Sequence, residues 1–100
     1  MSYEKVSVYI NEAEQWQDKP LYLELLEMLR EQKVAGATVL RGVAGFPLDT
    51  ITKTSLFHIK KLPLIVQFID DVEVIEVLIL KLKNMLPQHL IARVPVDVVC

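Results

Sequence analysis

Four basic side chains, Lys53, His58, Lys60 and Lys61, fall within one short stretch of this sequence, together with hydroxyls at Thr50, Thr52, Thr54 and Ser55 and only Asp49 of opposite sign. Donors at that density suit an anion, or an acidic surface on another protein. Taken singly, each lysine reads more simply as part of a solvated connection kept soluble by charge. Leu56, Phe57 and Ile59 lie among them, and an exposed loop rarely needs three large apolar residues. The stretch is therefore expected to pack on a neighbouring subunit or to contact a target.

Arg41 stands beside Gly42. Its planar guanidinium suits phosphate or carboxylate at a subunit cleft, and equally a salt bridge between subunits or at the surface. Gly42 and Gly45 admit a closely approaching ligand, or simply permit a strand bend or a subunit contact. His58 and His89 are far apart, without a nearby histidine, cysteine pair or carboxylate at metal-ligand spacing, so no metal site is expected within one chain. Cys100 has no adjacent base to activate it. Trp16 and Tyr22 flank Pro20 and are expected to close the core at a helix entrance. Phosphate-loop, dinucleotide and nucleophile-elbow patterns are missing, and the chain does not read as an enzyme.

Periodicity locates the elements that position these groups. Residues 5–10 alternate, with Val6, Val8 and Ile10 on one face, as a half-buried strand does. Pro20 suits a helix's first turn, Asp18 or Asn11 is placed to cap it, and Tyr22, Leu25, Leu26 and Leu29 form a helical stripe running to about Lys33, with Gly36 as its stop. Residues 37–46 read as a second strand whose glycines mark a bulge, a bend or another backbone close by. Pro47 to Lys61 is a connection of about fifteen residues, a length more often functional than passive.

Leu62 to Ile69 is almost continuously apolar, as a central strand would be. Val72 to Leu86 mixes strand-like composition with a helical stripe at Ile75, Leu78, Ile79, Leu82 and Leu86, and its length favours helix. Asp70 and Glu73 have capping-box spacing, and Pro87 ends the run. Residues 90–99 form a last strand, which Pro95 assigns to an edge. Strand, helix, strand, strand, helix, strand defines an α+β ferredoxin-like βαββαβ sandwich with an antiparallel four-stranded sheet in the order 4-1-3-2.

Composition sets bounds on function. A chain of 100 residues holds one domain, here residues 1–100, and 52% of it is apolar. A chain of this size buries roughly 65% of its unfolded surface, so apolar side chains remain outside and a homo-oligomer is expected. A formal charge of −2 argues against nucleic acid as a partner. Glu4 and Lys5 interrupt any cleavable signal, and charges within Val72 to Leu86 argue against a membrane span. The cytoplasm is the expected location.

Gly36-Ala-Thr-Val-Leu-Arg-Gly-Val-Ala-Gly-Phe46, with Val8-Tyr-Ile and Lys19-Pro-Leu-Tyr22 before it and Thr54-Ser55 and Leu62-Pro63 after it, resembles the PII-like family catalogued as domain of unknown function 190. The resemblance covers nearly the whole chain. It implies a fold like that of the PII signalling proteins, trimers that bind adenine nucleotides between subunits and grip a target with a long loop after the second strand. Gly36, Thr38 and Val39 would correspond to their Gly-x-Thr-Val, and Gly45 and Phe46 to the start of their Gly-Phe-Gly. Pro47 replaces the last glycine, one extra residue separates the two motifs, and Asn84 to Leu90 lacks the glycine-rich phosphate loop. Pro87 removes a donor where several would be wanted, which argues against triphosphate binding in the PII manner.

Two expectations of function result. In the first, the chain is a regulatory trimer whose intersubunit clefts bind a small anionic effector, such as an adenine nucleotide, through Gly36, Thr38, Arg41, Gly45 and Phe46. Lys53, His58, Lys60 and Lys61 would recognise an anion or a protein target. The association of some relatives with fluoride-channel proteins makes a membrane transporter or channel one such target. In the second, the chain is a ligand-free structural adaptor in a larger assembly.

Overall fold

The computed structural model describes residues 2–44 and 62–99. Its strands and helices run β1 (Tyr3–Asn11), β2 (Gln15–Trp16), β3 (Lys19–Pro20), α1 (Leu21–Glu31), β4 (Gly36–Arg41), β5 (Pro63–Asp71), α2 (Val72–Met85) and β6 (Ile91–Val96). The main sheet has the order β4-β5-β1-β6, every pair antiparallel. Counted without the short β2–β3 hairpin, this is the expected 4-1-3-2 order of a ferredoxin-like sandwich. Pro95 lies on edge strand β6, where a missing N–H breaks no inner ladder.

Side-chain alternation sorts the sheet into two faces. On the first, Val8 and Val66 pair with Val39 and Ile91 beside them, Val6 pairs with Phe68, and Ile10 pairs with Leu64. These strand residues meet Leu21, Leu25 and Leu29 of α1 and Ile75, Leu78 and Leu82 of α2 in one buried core. Each such side chain contributes on the order of 1.5–3 kcal/mol by leaving water. Trp16 and Tyr22 pack against the rim of that core, as expected of a helix entrance.

The helix boundaries differ in detail from those the sequence suggests. No side chain caps α1; the amide of Leu21 instead donates to the carbonyl of Glu14 at 2.9 Å, and Asn11 Oδ1 accepts from Ala13. Gly36 does not stop this helix. Lys33 takes the left-handed conformation, at φ 57, and Gly36 is free to begin β4. At α2 the cap is Asp71, whose Oδ1 accepts from the amide of Glu73 at 2.9 Å. Asp70 does not cap the helix; its Oδ2 accepts from the amide of Ala35 and ties the start of α2 to the chain before β4.

The second strand ends at Arg41 rather than reaching residue 46. Gly42 donates its amide to the Pro63 carbonyl at 2.8 Å, and a Cβ at Gly42 would lie 2.8 Å from Pro63 Cγ. The close approach expected at this glycine is therefore contact with the start of β5. The β2–β3 hairpin is an element that the sequence pattern does not announce. Gln17 and Asp18 both have positive φ, the geometry of a two-residue mirror-image turn, without the usual Asn-Gly or Asp-Gly signature.

Candidate functional site

The end of β4 and the start of β5 lie side by side, and the turn after β1 organises that place. Glu12 donates its amide to the Leu62 carbonyl at 3.0 Å, and its Oε1 accepts from the Leu62 amide at 2.9 Å. Its Oε2 lies 3.0 Å from Arg41 Nη2. One carboxylate thus holds the last residue of β4 and the residue before β5, and Gly42 with Pro63 closes the same junction. Glu12 is mostly shielded and Arg41 mostly open, with side-chain exposures of 22% and 66%.

Two residues further on, Glu14 reaches to the opposite side of that turn. Its Oε1 accepts from the Asn11 amide, and its Oε2 lies 2.6 Å from Nε2 of His89, in the connection between α2 and β6. A carboxylate only accepts, so Nε2 carries the proton of this bond. His89 Nδ1 is buried and has no hydrogen-bond partner among the described residues. The turn at residues 11–14 therefore meets two other connections at one end of the sheet, β4–β5 and α2–β6, through two glutamates with different partners.

The expected cleft residues all fall on or after edge strand β4, but not on one face. Gly36 pairs in register with Ile69 and Thr38 with Gln67, on the side of the sheet away from the helices. Arg41 pairs with Leu64 and so shares the helix-facing side, where Glu12 holds it. Thr38 continues a polar row, since Gln67 Nε2 donates to Ser7 Oγ at 3.3 Å. Nothing stands within 4 Å of where a Cβ at Gly36 would lie. Gly45, Phe46, Lys53, His58, Lys60 and Lys61 lie outside the described residues, as does Cys100.

The face bearing Gly36 and Thr38 is rich in apolar groups. Tyr9 pairs with Ile65 and Ile65 with Leu40, while Lys5 lies between Ile69 and Val94. Both helices sit on the other face, and Leu40 and Val94 are 44% and 47% exposed. At the far end of the helical layer, Arg93 of β6 donates from Nε to Glu4 Oε1 at 2.7 Å and meets Glu76 Oε1 of α2 at 2.6 Å. Hydrogen bonding to Arg93, reinforced by its charge, holds the Glu76 carboxyl below its ordinary pKa. The bonds to Glu76 and then Glu4 push the Arg93 guanidinium up.

Glu12, Glu14 and the Arg93 bridge are not evident from the sequence. Glu12 and Leu62 are 50 positions apart and His89 is 75 from Glu14, so no local spacing announces either contact. The only signal is a pair of acids in the polar run that comes after β1. Among the described residues, no helix is long and apolar enough to cross a membrane.

The fold and the match of a family pattern over residues 3–98 define the class: the chain belongs to the family described as "Uncharacterized ACR", domain of unknown function 190. It is similar to a UPF0166 protein of Aquifex aeolicus, 38% identical over 71 residues that cover 69% of this chain and 68% of that protein. It is also similar to a UPF0166 protein of Methanocaldococcus jannaschii, 23% identical over 85 residues covering 84% and 79% of the two chains.

Proposed function

We propose that this chain is a cytoplasmic PII-like regulatory module, a binding rather than a catalytic protein. Several copies assemble through the helix-free face of the sheet, and a small anionic effector such as an adenine nucleotide binds in the clefts between them. The observation that carries this reading is that face itself. A two-layer sandwich buries one side of its sheet under helices, and an apolar second side calls for a covering layer. A ring of three copies supplies that layer and brings Gly36 and Thr38, on edge strand β4, to the boundary between subunits.

Arg41 supplies the positive charge at the root of the long connection. Glu12 keeps its guanidinium oriented, and an incoming phosphate competes with or joins that carboxylate. The effector then acts on the connection by binding one arrangement better than another, with a coupling typically of about 1–3 kcal/mol. Lys53, His58, Lys60 and Lys61, in the sequence between β4 and β5, serve to recognise a protein target, a membrane transporter or channel being one class. The adaptor reading draws on the same open face and on Arg41 already having a carboxylate partner.

Sedimentation velocity and calorimetric titration test both halves. Leu40→Glu and Val94→Glu place charge on exposed positions of the open face and are expected to lower the particle mass while each chain stays folded. Thr38→Ala and Arg41→Ala are expected to keep the mass and weaken binding of an adenine nucleotide. Unchanged mass in the first pair contradicts assembly through this face. Partner binding with no nucleotide binding by the native protein favours the adaptor.

A further inference from the structure

The outer surface of α2 carries a second apolar strip on the layer opposite the open sheet face. Val74, Val77 and Leu80 are 36%, 54% and 67% exposed, while Ile75, Leu78 and Leu82 of the same helix are buried. None of the described elements covers the strip. Its charges are ordered along the helix: Glu73 and Glu76 precede its centre, Lys81 and Lys83 come after it, and all four are exposed. Glu76 and Lys83 are seven residues apart, two helical turns, and so stand on the same flank of Val77 and Leu80.

We propose that α2 is a contact between two copies of this chain, packed antiparallel about a two-fold axis. In such a pairing the axis passes between Val77 and Leu80, and Val77 of each copy meets Leu80 of the other. Flanking residues on one side face residues of that same side on the partner, running in the opposite direction. Each Glu76 therefore faces the other copy's Lys83, and the two-fold repeats the pair. Parallel packing would set acid against acid and base against base. The charge order thus selects one orientation as well as the occupant.

Arg93 holds one oxygen of Glu76, which fixes the carboxylate on this flank and leaves its second oxygen for Lys83 of the other copy. A strip of one helix is smaller than the roughly 800 Å² per partner of a typical stable interface, so the pairing is reversible and its mass depends on concentration. It is independent of the sheet face: units formed through the sheet would be joined to further units by α2, and single chains would be paired by it.

A charge swap divided between two proteins tests this directly. Glu76→Lys and Lys83→Glu each place like charges at both contacts, whereas a pair made from one chain of each variant restores opposite charges at both. The expected result by sedimentation is a particle mass of half the native value or less for either variant alone, and the native mass for their equimolar mixture. Glu76→Lys also removes a partner of Arg93, so Leu80→Asp serves as a third variant and is expected to lower the mass to the same value with Arg93 undisturbed. Native mass in all three variants, or a mixture that stays at the lowered mass, overturns the pairing. Leu40→Glu and Val94→Glu act on the other layer and leave the swap behaviour in place, which separates failure of this contact from failure of the sheet-face assembly.

Discussion

Glu12 holds Arg41 with one carboxylate oxygen, at 3.0 Å, and the backbone amide of Leu62 with the other, at 2.9 Å. A single short side chain from the turn after β1 thereby fixes both ends of the connection between β4 and β5. The two bonds differ in worth. The amide of Leu62 is part-buried and would be left without its acceptor, whereas the Arg41 guanidinium is largely open to water.

Glu12→Ala is accordingly expected to lower stability by roughly 1–3 kcal/mol, the range for losing a charged acceptor from a shielded donor. Arg41→Ala should lower it by less than about 1 kcal/mol, as exposed ion pairs do. Urea unfolding of the two variants measures both. Equal losses would show that the Leu62 bond is not the dominant part.

The two described glycines of the β4 segment predict opposite outcomes. Gly42→Ala puts a Cβ 2.8 Å from Pro63 Cγ and 3.4 Å from the Pro63 carbonyl, and is expected to cost about 1–3 kcal/mol through forced displacement. Gly36→Ala meets nothing within 4 Å and should be neutral or slightly stabilising, because alanine restricts the unfolded chain. If Gly36 lines an effector cleft, the same variant lowers effector affinity while the thermal midpoint of the free protein holds. A fall in midpoint for Gly36→Ala would contradict the open space seen there.

Acid should weaken the bond between α2 and β6. Glu76 has its folded-state pKa lowered beneath the ordinary 4.5, mainly by its hydrogen bond to Arg93. Its contribution is therefore present above 4.5 and is lost as pH falls from there through the lowered value. Arg93, shifted up, adds a dependence only in strong alkali. The stability difference between the native protein and Glu76→Gln should shrink as pH drops below 4.5, and should shrink with added salt because the pair is exposed. A difference that grows on acidification would reverse the assigned direction.

Most of the scaffold is legible in the sequence because its signals are periodic. Val6, Val8 and Ile10 alternate, Leu25 and Leu29 keep one helical face, and Pro95 marks an edge strand, so element order and sheet order come from pattern and topology alone. What escapes is non-local or unsigned. The β2–β3 turn uses Gln17 and Asp18 at positive φ without glycine, Lys33 rather than Gly36 ends α1, and Glu12 finds Leu62 only once β1 and β5 have paired. Within the candidate site, Gly36, Thr38 and Arg41 share a strand as expected, yet pleating turns Arg41 to the face opposite the other two. The split itself follows from strand alternation, since 41 differs in parity from 36 and 38. What Gly-Ala-Thr-Val-Leu-Arg does not reveal is which face lies under the helices, which is settled by the register with Ile69, Gln67 and Leu64.

The most direct test of an effector-binding module is the thermal unfolding midpoint of the purified protein across adenine nucleotides, each titrated with and without magnesium. A ligand that binds only the folded assembly raises the midpoint by mass action, by about 2.7 kcal/mol of stability at a hundredfold excess over its dissociation constant. An effector-binding module shows a saturable, concentration-dependent rise for at least one nucleotide, reduced in Thr38→Ala and Arg41→Ala. A midpoint that stays flat across the whole series would contradict nucleotide sensing and leave a ligand-free adaptor as the reading of this fold.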